Sequence, residues 1–230
     1  MTESARRPRV RPARRPGRPA GGDAAVREAL LGTARRLFLA HGFGSVTIRR
    51  IASEAGSSPA TIHYHFGDKL GLYRAMLEAA FGPVAATLER LDDPERARDV
   101  DVASFMRLYA RMLADNPWVP ALIVQEVLAE GGRFRAQFIE QFAGRLVPLF
   151  VELVRREQRR GDLRADLDPR LAALSAISLT VFPFLALPVT SRVLGVSASG
   201  PALEQMVEHT TRLFREGAEA RAGRERGSEA

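Results

Sequence analysis

The 230-residue chain contains no cysteine. Disulfides and thiolate metal sites are therefore excluded, and the composition is compatible with a reducing compartment. Lysine occurs once, at Lys69. Strand-length alternation of β-branched residues is missing as well, which favours an all-α protein. No run of about 18 apolar residues occurs; the nearest, 171–187, is interrupted by Ser175, Ser178, Thr180 and Pro183. The first twenty residues lack the apolar segment of a secretory signal. A soluble intracellular protein is expected. Also missing are a glycine-rich phosphate loop, a G-x-S-x-G turn and a nucleophile–base pair, and His41 and His209 stand alone. No catalytic residue, metal site or cofactor is expected, and the chain does not read as an enzyme.

What the chain does have is unevenly spread charge. The net charge of +7 sits almost wholly in residues 1–22, which hold seven arginines, one acid (Glu3) and four prolines. The rest of the chain carries 27 basic groups against 26 acidic ones. Such an arm cannot pack a core and is expected to be disordered when free. Its segment Arg14–Pro19 (RRPGRP) resembles the core of an AT-hook, whose arginines lie in a narrow minor groove. The alternative is a solubilising tail that adds only non-specific attraction for DNA.

The most informative stretch is 47–69, TIRRIASEAGSSPATIHYHFGDK. Thr47 suits an N-cap, and Ile48, Ile51, Ala52 and Ala55 follow at i, i+3, i+4 and i+7. Gly56 supplies a positive φ after that helix. Ser58 and Pro59 open a second helix as its cap and first residue. In this short helix Ala60, Ile62 and Phe66 are the candidates for burial, which leaves Thr61, His63, Tyr64 and His65 pointing outward. Asp68 caps a third helix. Helix, glycine turn and short polar-aromatic helix is the helix-turn-helix layout, in which the second helix enters the major groove. His63 and His65 are two apart on a helix with no supporting acidic cluster, so they do not read as a metal pair.

Residues 26–76, with LFLAHGF (37–43), VTIRRIA (46–52), AGSSPATIHYHFGDK (55–69) and LYRAML (72–77), resemble the DNA-binding domain of TetR-family transcriptional regulators. The resemblance implies roles by position. Arg49 meets a base edge or a phosphate. Thr47 and Ser58 are phosphate ligands as well as caps. Ala60, Thr61 and His65 face base edges, with Ala60 set against a thymine methyl. His63 and Tyr64 touch the phosphate backbone, and Lys69 is a further phosphate clamp. His63 stands where most relatives have tyrosine and would make its contact pH-sensitive. Arg50 departs from the usual acid or amide and reads as an extra phosphate contact. Helix 1, about 23–41, should bury Val26, Leu30, Ala34, Leu37 and Phe38. Phe43 should join a small core with Ile51, Ile62 and Phe66. Gly82-Pro83 is expected to break or kink the helix that starts at Lys69.

The fold class expected is all-α with about nine helices in total. A disordered arm (1–22) precedes a three-helix helix-turn-helix DNA-binding domain (23–69). A helical ligand-binding and dimerisation domain (70–217) follows, ending in a polar flexible tail (218–230). The body reads as helices over 101–114, 117–128, 133–160, 169–185 and 201–215. Three of these concentrate aromatic bulk at Phe105, Met106, Tyr109, Trp118, Phe134, Phe138, Phe142 and Phe150. Each residue suits a plain core; the resemblance implies a pocket there for an apolar small-molecule effector. Helix 169–185, apolar around most of its circumference, needs burial on two sides. With helix 201–215 it would form a two-fold four-helix contact. The function implied is a sequence-specific, ligand-responsive repressor that binds double-stranded DNA as a homodimer. Its operator would be a near-palindrome with half-sites about one turn or a turn and a half apart. Its place would be the bacterial cytoplasm, at the nucleoid. The alternative is a constitutive or architectural DNA-binding protein without an effector.

Overall fold

The computed structural model describes residues 20–93, 95, 99–132 and 134–219. The basic arm expected at 1–22 and the tail expected at 218–230 lie almost entirely outside these residues. Within them α1 (Ala20–Ser45), α2 (Ile48–Glu54) and α3 (Pro59–Phe66) make a small head. The body follows as α4 (Lys69–Glu89), α5 (Val102–Asp115), α6 (Trp118–Leu128) and α7 (135–160), then α8 (Pro169–Leu185), α9 (Leu187–Val193) and α10 (Gly200–Ala218). The second half of α6 and residues Ile139–Ala143 of α7 are π-helical. No strand is formed among the described residues.

Local chemistry sets the head's boundaries. Thr47 Oγ1 accepts from Arg50 N at 3.2 Å, Ser58 Oγ from Thr61 N at 3.2 Å, and Asp68 Oδ1 from Gly71 N at 2.7 Å. These three bonds satisfy amides that a helix start leaves free. Gly56, at φ 62°, turns the chain between α2 and α3. The α3–α4 corner is tight: a Cβ on Gly71 would stand 1.9 Å from Phe66 O, so glycine is required there.

Gly42 (φ 72°, ψ 159°) breaks the rod of α1 one turn before its end and throws Phe43 sideways. Phe43 and Phe66 are partly buried and pack against the core cluster that contains Ile51 and Ile62. The Phe43 ring packs on Phe38 (5.1 Å), Tyr73 (5.3 Å) and Phe134 (4.4 Å), which ties head to body. Leu30, Leu31, Ala34, Leu37 and Phe38 are buried along α1, while Val26 is half-buried.

The break expected at Gly82-Pro83 is absent: α4 runs unbroken through both residues. A proline ring clashes with the Cβ of the residue before it, and Gly82 has none. Phe81, Val84 and Leu88 are buried on either side and keep the helix continuous through the lost hydrogen bond. The apolar sequence after α8 continues as a separate helix, α9, bent 70° from it. No single helix among the described residues is long and apolar enough to cross a membrane.

In the body α5 packs on α4, α8 and α10, and α7 packs on α4 and α8. Asp101 and Ser104 form a reciprocal capping box at the start of α5. Glu157 of α7 also serves that helix end: its buried carboxylate accepts from Val102 N at 2.5 Å. Burial, the largest cause, pushes Glu157 up to about 7 against the pull of that bond.

Candidate nucleic-acid interface and ligand cavity

On α3, Ala60, His63 and Tyr64 fall at i, i+3 and i+4 and present one exposed face. Tyr64 is 78% exposed, an unusual placement for an aromatic ring, and meets the His65 ring edge-on at 5.0 Å. Thr61 flanks this face, half-buried, with Oγ1 2.9 Å from Ser58 Oγ. His63 Nδ1–H donates to Gly67 O at 2.5 Å. The neutral ring therefore offers only an acceptor at Nε2, and donation to a phosphate requires the imidazolium. Arg49, in the first turn of α2, is exposed and pairs with no carboxylate among the described residues. The packed pair α2 and α3 thus exposes several hydrogen-bonding side chains, with Thr47 and Ser58 at the two helix N-termini.

Two residues assigned to this surface from sequence are turned away from it, and a third, Arg50, is exposed but paired. His65 is turned inward, its side chain only 6% exposed, with Nε2 3.4 Å from Asp23 Oδ1 of α1. It lies three residues after the fully buried Ile62, so helical geometry puts it on the packed side. Lys69 donates to Phe43 O at 2.5 Å, with its ammonium 4.1 Å from the Phe43 ring centroid. This cation clamps the α1–α2 connection by a charge-assisted bond and a cation–π contact instead of standing out as a phosphate clamp. Arg50 is held by Glu54 (3.1 Å) and donates to His41 Nε2 (2.8 Å), and Arg36 reaches the same Glu54 at 2.9 Å. Arg50 and then Arg36 hold the Glu54 carboxyl below the usual carboxylate range. The i,i+4 spacing of Arg50 and Glu54 was the signal that would have found this pair.

In the body, a cavity of about 440 Å³ opens between α4, α5, α7 and α8. Of the residues named from sequence, Phe105, Tyr109, Phe138, Phe142 and Phe150 line it, joined by Phe81 of α4 and Phe182 of α8. Phe105 and Phe150 stack at 4.2 Å and form one wall. Met106, Trp118 and Phe134 do not line it. Met106 is sealed in the core. Trp118 is buried near the head, its Nε1 donating to Asn116 Oδ1 at 3.3 Å. Phe134 lies at the head–body junction, stacked on Tyr73 at 4.2 Å. A broader groove of about 730 Å³ runs between α6 and the α8–α9 bend, lined mostly by leucine, alanine, valine and proline, with three serines, Gln125 and a single aromatic ring, Phe184. No group of three or more His, Cys, Asp or Glu that could hold a metal is found among the described residues.

Of the cavity's lining residues Leu128, Val147, Leu174 and Phe182 are exposed. Leu174 and Phe182 (65% exposed) share the outer face of α8 with exposed Leu171, and Leu213 is exposed on the neighbouring α10. The opposite face of α8 is buried through Ala172, Ala173, Ala176 and Phe184. An apolar stripe of this kind on a surface marks a contact site.

Comparison with known proteins agrees with this architecture. Residues 30–76 match the family described as "Bacterial regulatory proteins, tetR family", and residues 99–218 match "Tetracyclin repressor-like, C-terminal domain". The chain is 31% identical over 163 residues to the HTH-type transcriptional repressor NicS of Pseudomonas putida, covering 68% of this chain and 74% of that protein. Among solved structures, NalD of Pseudomonas aeruginosa, the secondary repressor of a multidrug efflux pump, superposes with a TM-score of 0.65 at 22% identity. That match covers 88% of this chain and all of the other. The complex of SmeT with triclosan, from Stenotrophomonas maltophilia, has a TM-score of 0.63 at 18% identity over 86% and 93% of the two chains. At such identities these two likenesses establish the fold.

Proposed function

The chain belongs to the tetR family of bacterial regulatory proteins and is a DNA-binding transcriptional regulator; from that premise we propose that it is a homodimeric, effector-responsive repressor. Its contact set would be Thr47, Arg49, Ser58, Ala60, Thr61, His63 and Tyr64. The carrying observation is the exposed face of α3, where Tyr64 and His63 stand out beside an unpaired Arg49. Arg49 at a guanine edge would discriminate by about 1–3 kcal/mol. Thr47 and Ser58 would hold phosphates at their helix N-termini. His65 and Lys69 are left out of the set because their polar heads are committed to Asp23 and Phe43.

Dimerisation through the outer faces of α8 and α10 would cover Leu171, Leu174, Phe182 and Leu213 and set two heads on one side of the duplex. The aromatic cavity is the proposed effector site; the effector-free alternative leaves it without a role. A fold neighbour's complex with triclosan is in keeping with this reading. Coupling would run along α7. Phe138 and Phe142 line the cavity, while Phe134, one turn earlier, abuts Phe43 and Tyr73 at the head. An effector that shifts the start of α7 would move Phe43 and with it the α1–α2 connection. To release DNA, it must prefer the arrangement that fits the operator poorly. The DNA it would act on places it in the bacterial cytoplasm.

Selection of bound duplexes from a random pool by the full chain tests the reading. Enrichment of one near-palindrome supports it. Enrichment of nothing beyond base composition contradicts it.

A further inference from the structure

The lining of the 440 Å³ cavity restricts what could fill it. Among the described residues not one Asp, Glu, Lys, Arg or His faces it, and Tyr109 and Ser178 supply its only polar side chains. An ionised group entering such a space sheds its water without gaining a counter-charge, which is strongly unfavourable. The exposed residues of its lining, Leu128, Val147, Leu174 and Phe182, are apolar as well, so the rim supplies no counter-charge either. Ring faces and ring edges, in contrast, are both on offer. Phe105 and Phe150 make a stacked wall at 4.2 Å, and Phe81 meets Phe138 and Phe142 at tilted or edge-on angles, 6.0 and 5.5 Å away. An aromatic guest finds the offset and T-shaped partners it prefers.

Tyr109 adds direction. It lines the cavity, and its hydroxyl has no hydrogen-bond partner among the described residues. It differs from Tyr73, whose hydroxyl is sealed in packing and unpartnered. Burial pushes the Tyr109 hydroxyl up to about 12, so it remains protonated and able to donate or accept. A polar group without a protein partner, at the edge of an apolar site of ligand size, is a handle for orienting a guest.

We propose that the effector is an uncharged, mainly aromatic molecule carrying one hydrogen-bonding group that meets the Tyr109 hydroxyl. This rests on the effector reading above. The test uses the full chain and two fluorescent probes with the same ring skeleton, neutral N-phenyl-1-naphthylamine and anionic 8-anilinonaphthalene-1-sulfonate. Biphenyl and 4-phenylphenol serve as competitors at pH 7. The neutral probe is expected to bind one saturable site per chain, on the order of tenfold or more tighter than the sulfonate. 4-Phenylphenol is expected to displace it at lower concentration than biphenyl. Tyr109→Phe, which removes only the hydroxyl, should cut that advantage about fivefold while biphenyl competes as before. Sulfonate binding as tight as the neutral probe's, or a phenol advantage that survives Tyr109→Phe, overturns the proposal and leaves an effector site standing. If neither probe finds a saturable site, the effector reading falls and takes the proposal with it.

Discussion

Replacing Tyr64 by alanine removes a ring that is 78% exposed. Stability should change by less than about 0.5 kcal/mol, as at other open surface sites. Operator affinity should fall about tenfold or more, roughly 1.4 kcal/mol. His65→Ala should do the reverse in kind. Its side chain is enclosed between α1 and α3, so its loss should destabilise the head by about 1–3 kcal/mol. Thermal denaturation and DNA titration of both variants separate reader from support; an unaltered melting temperature for His65→Ala would refute its inward placement. Glu157 gives a pH signature. Its folded-state value, about 7, lies above the ordinary carboxylate range. The native state thus holds a proton that the unfolded chain has released, and stability declines as pH rises from about 4.5 to about 7. Glu157→Gln keeps an acceptor for Val102 N and cannot ionise. Its melting temperature should exceed wild type at pH 8 and converge with it near pH 5. A difference that does not vary with pH would contradict the account.

At the scale of elements, the caps were legible in the sequence and the packing was not. Thr47, Ser58 and Asp68 act on amides two or three residues away, so spacing alone identifies them, and each is found capping as expected. Pro83 read as a break because its local effect is disruptive; buried Phe81, Val84 and Leu88, together with the missing Cβ of Gly82, decide otherwise. In an eight-residue helix, outward and inward polar residues look alike unless the period is anchored on one buried position. Ile62 is that anchor, and it places His65 inside. Aromatic residues at helical spacing mark the interior without saying which interior. Phe138 and Phe142 face the cavity, while Phe134, the residue just before the same helix, serves the junction with the head. That junction yields a prediction for α7. Phe134→Ala removes a ring stacked on Tyr73 and set edge-on to Phe43, and should cost about 3–5 kcal/mol of stability. Phe134→Leu keeps the volume, so effector and DNA should each still bind while their coupling shrinks. Calorimetric titration of each ligand with and without the other measures this; full coupling in Phe134→Leu would move the transmission path away from α7.

For the whole molecule, the unpartnered stripe on α8 and α10 is the feature a single chain leaves unexplained. Leu171 is exposed and lies outside the cavity lining, so Leu171→Glu tests the dimer without touching the effector site. A buried, unpaired carboxylate on each side of a two-fold contact should split the dimer, seen by sedimentation. Linkage of two heads should vanish with it, weakening palindrome binding about a hundredfold. Dimers that persist in Leu171→Glu would place the interface elsewhere. The basic arm acts at this scale too, since arginines in residues 1–22 would add to the salt dependence of any DNA contact. The central claim, that α3 and Arg49 read sequence, is best tested by fluorescence anisotropy across a salt series, comparing the selected near-palindrome with its scrambled counterpart. Wild-type chain and a chain lacking residues 1–22 should both prefer the palindrome, and Arg49→Ala should erase most of that preference. Equal binding to both duplexes, with a steep salt slope that flattens once the arm is removed, would show attraction by counterion release alone and contradict the account.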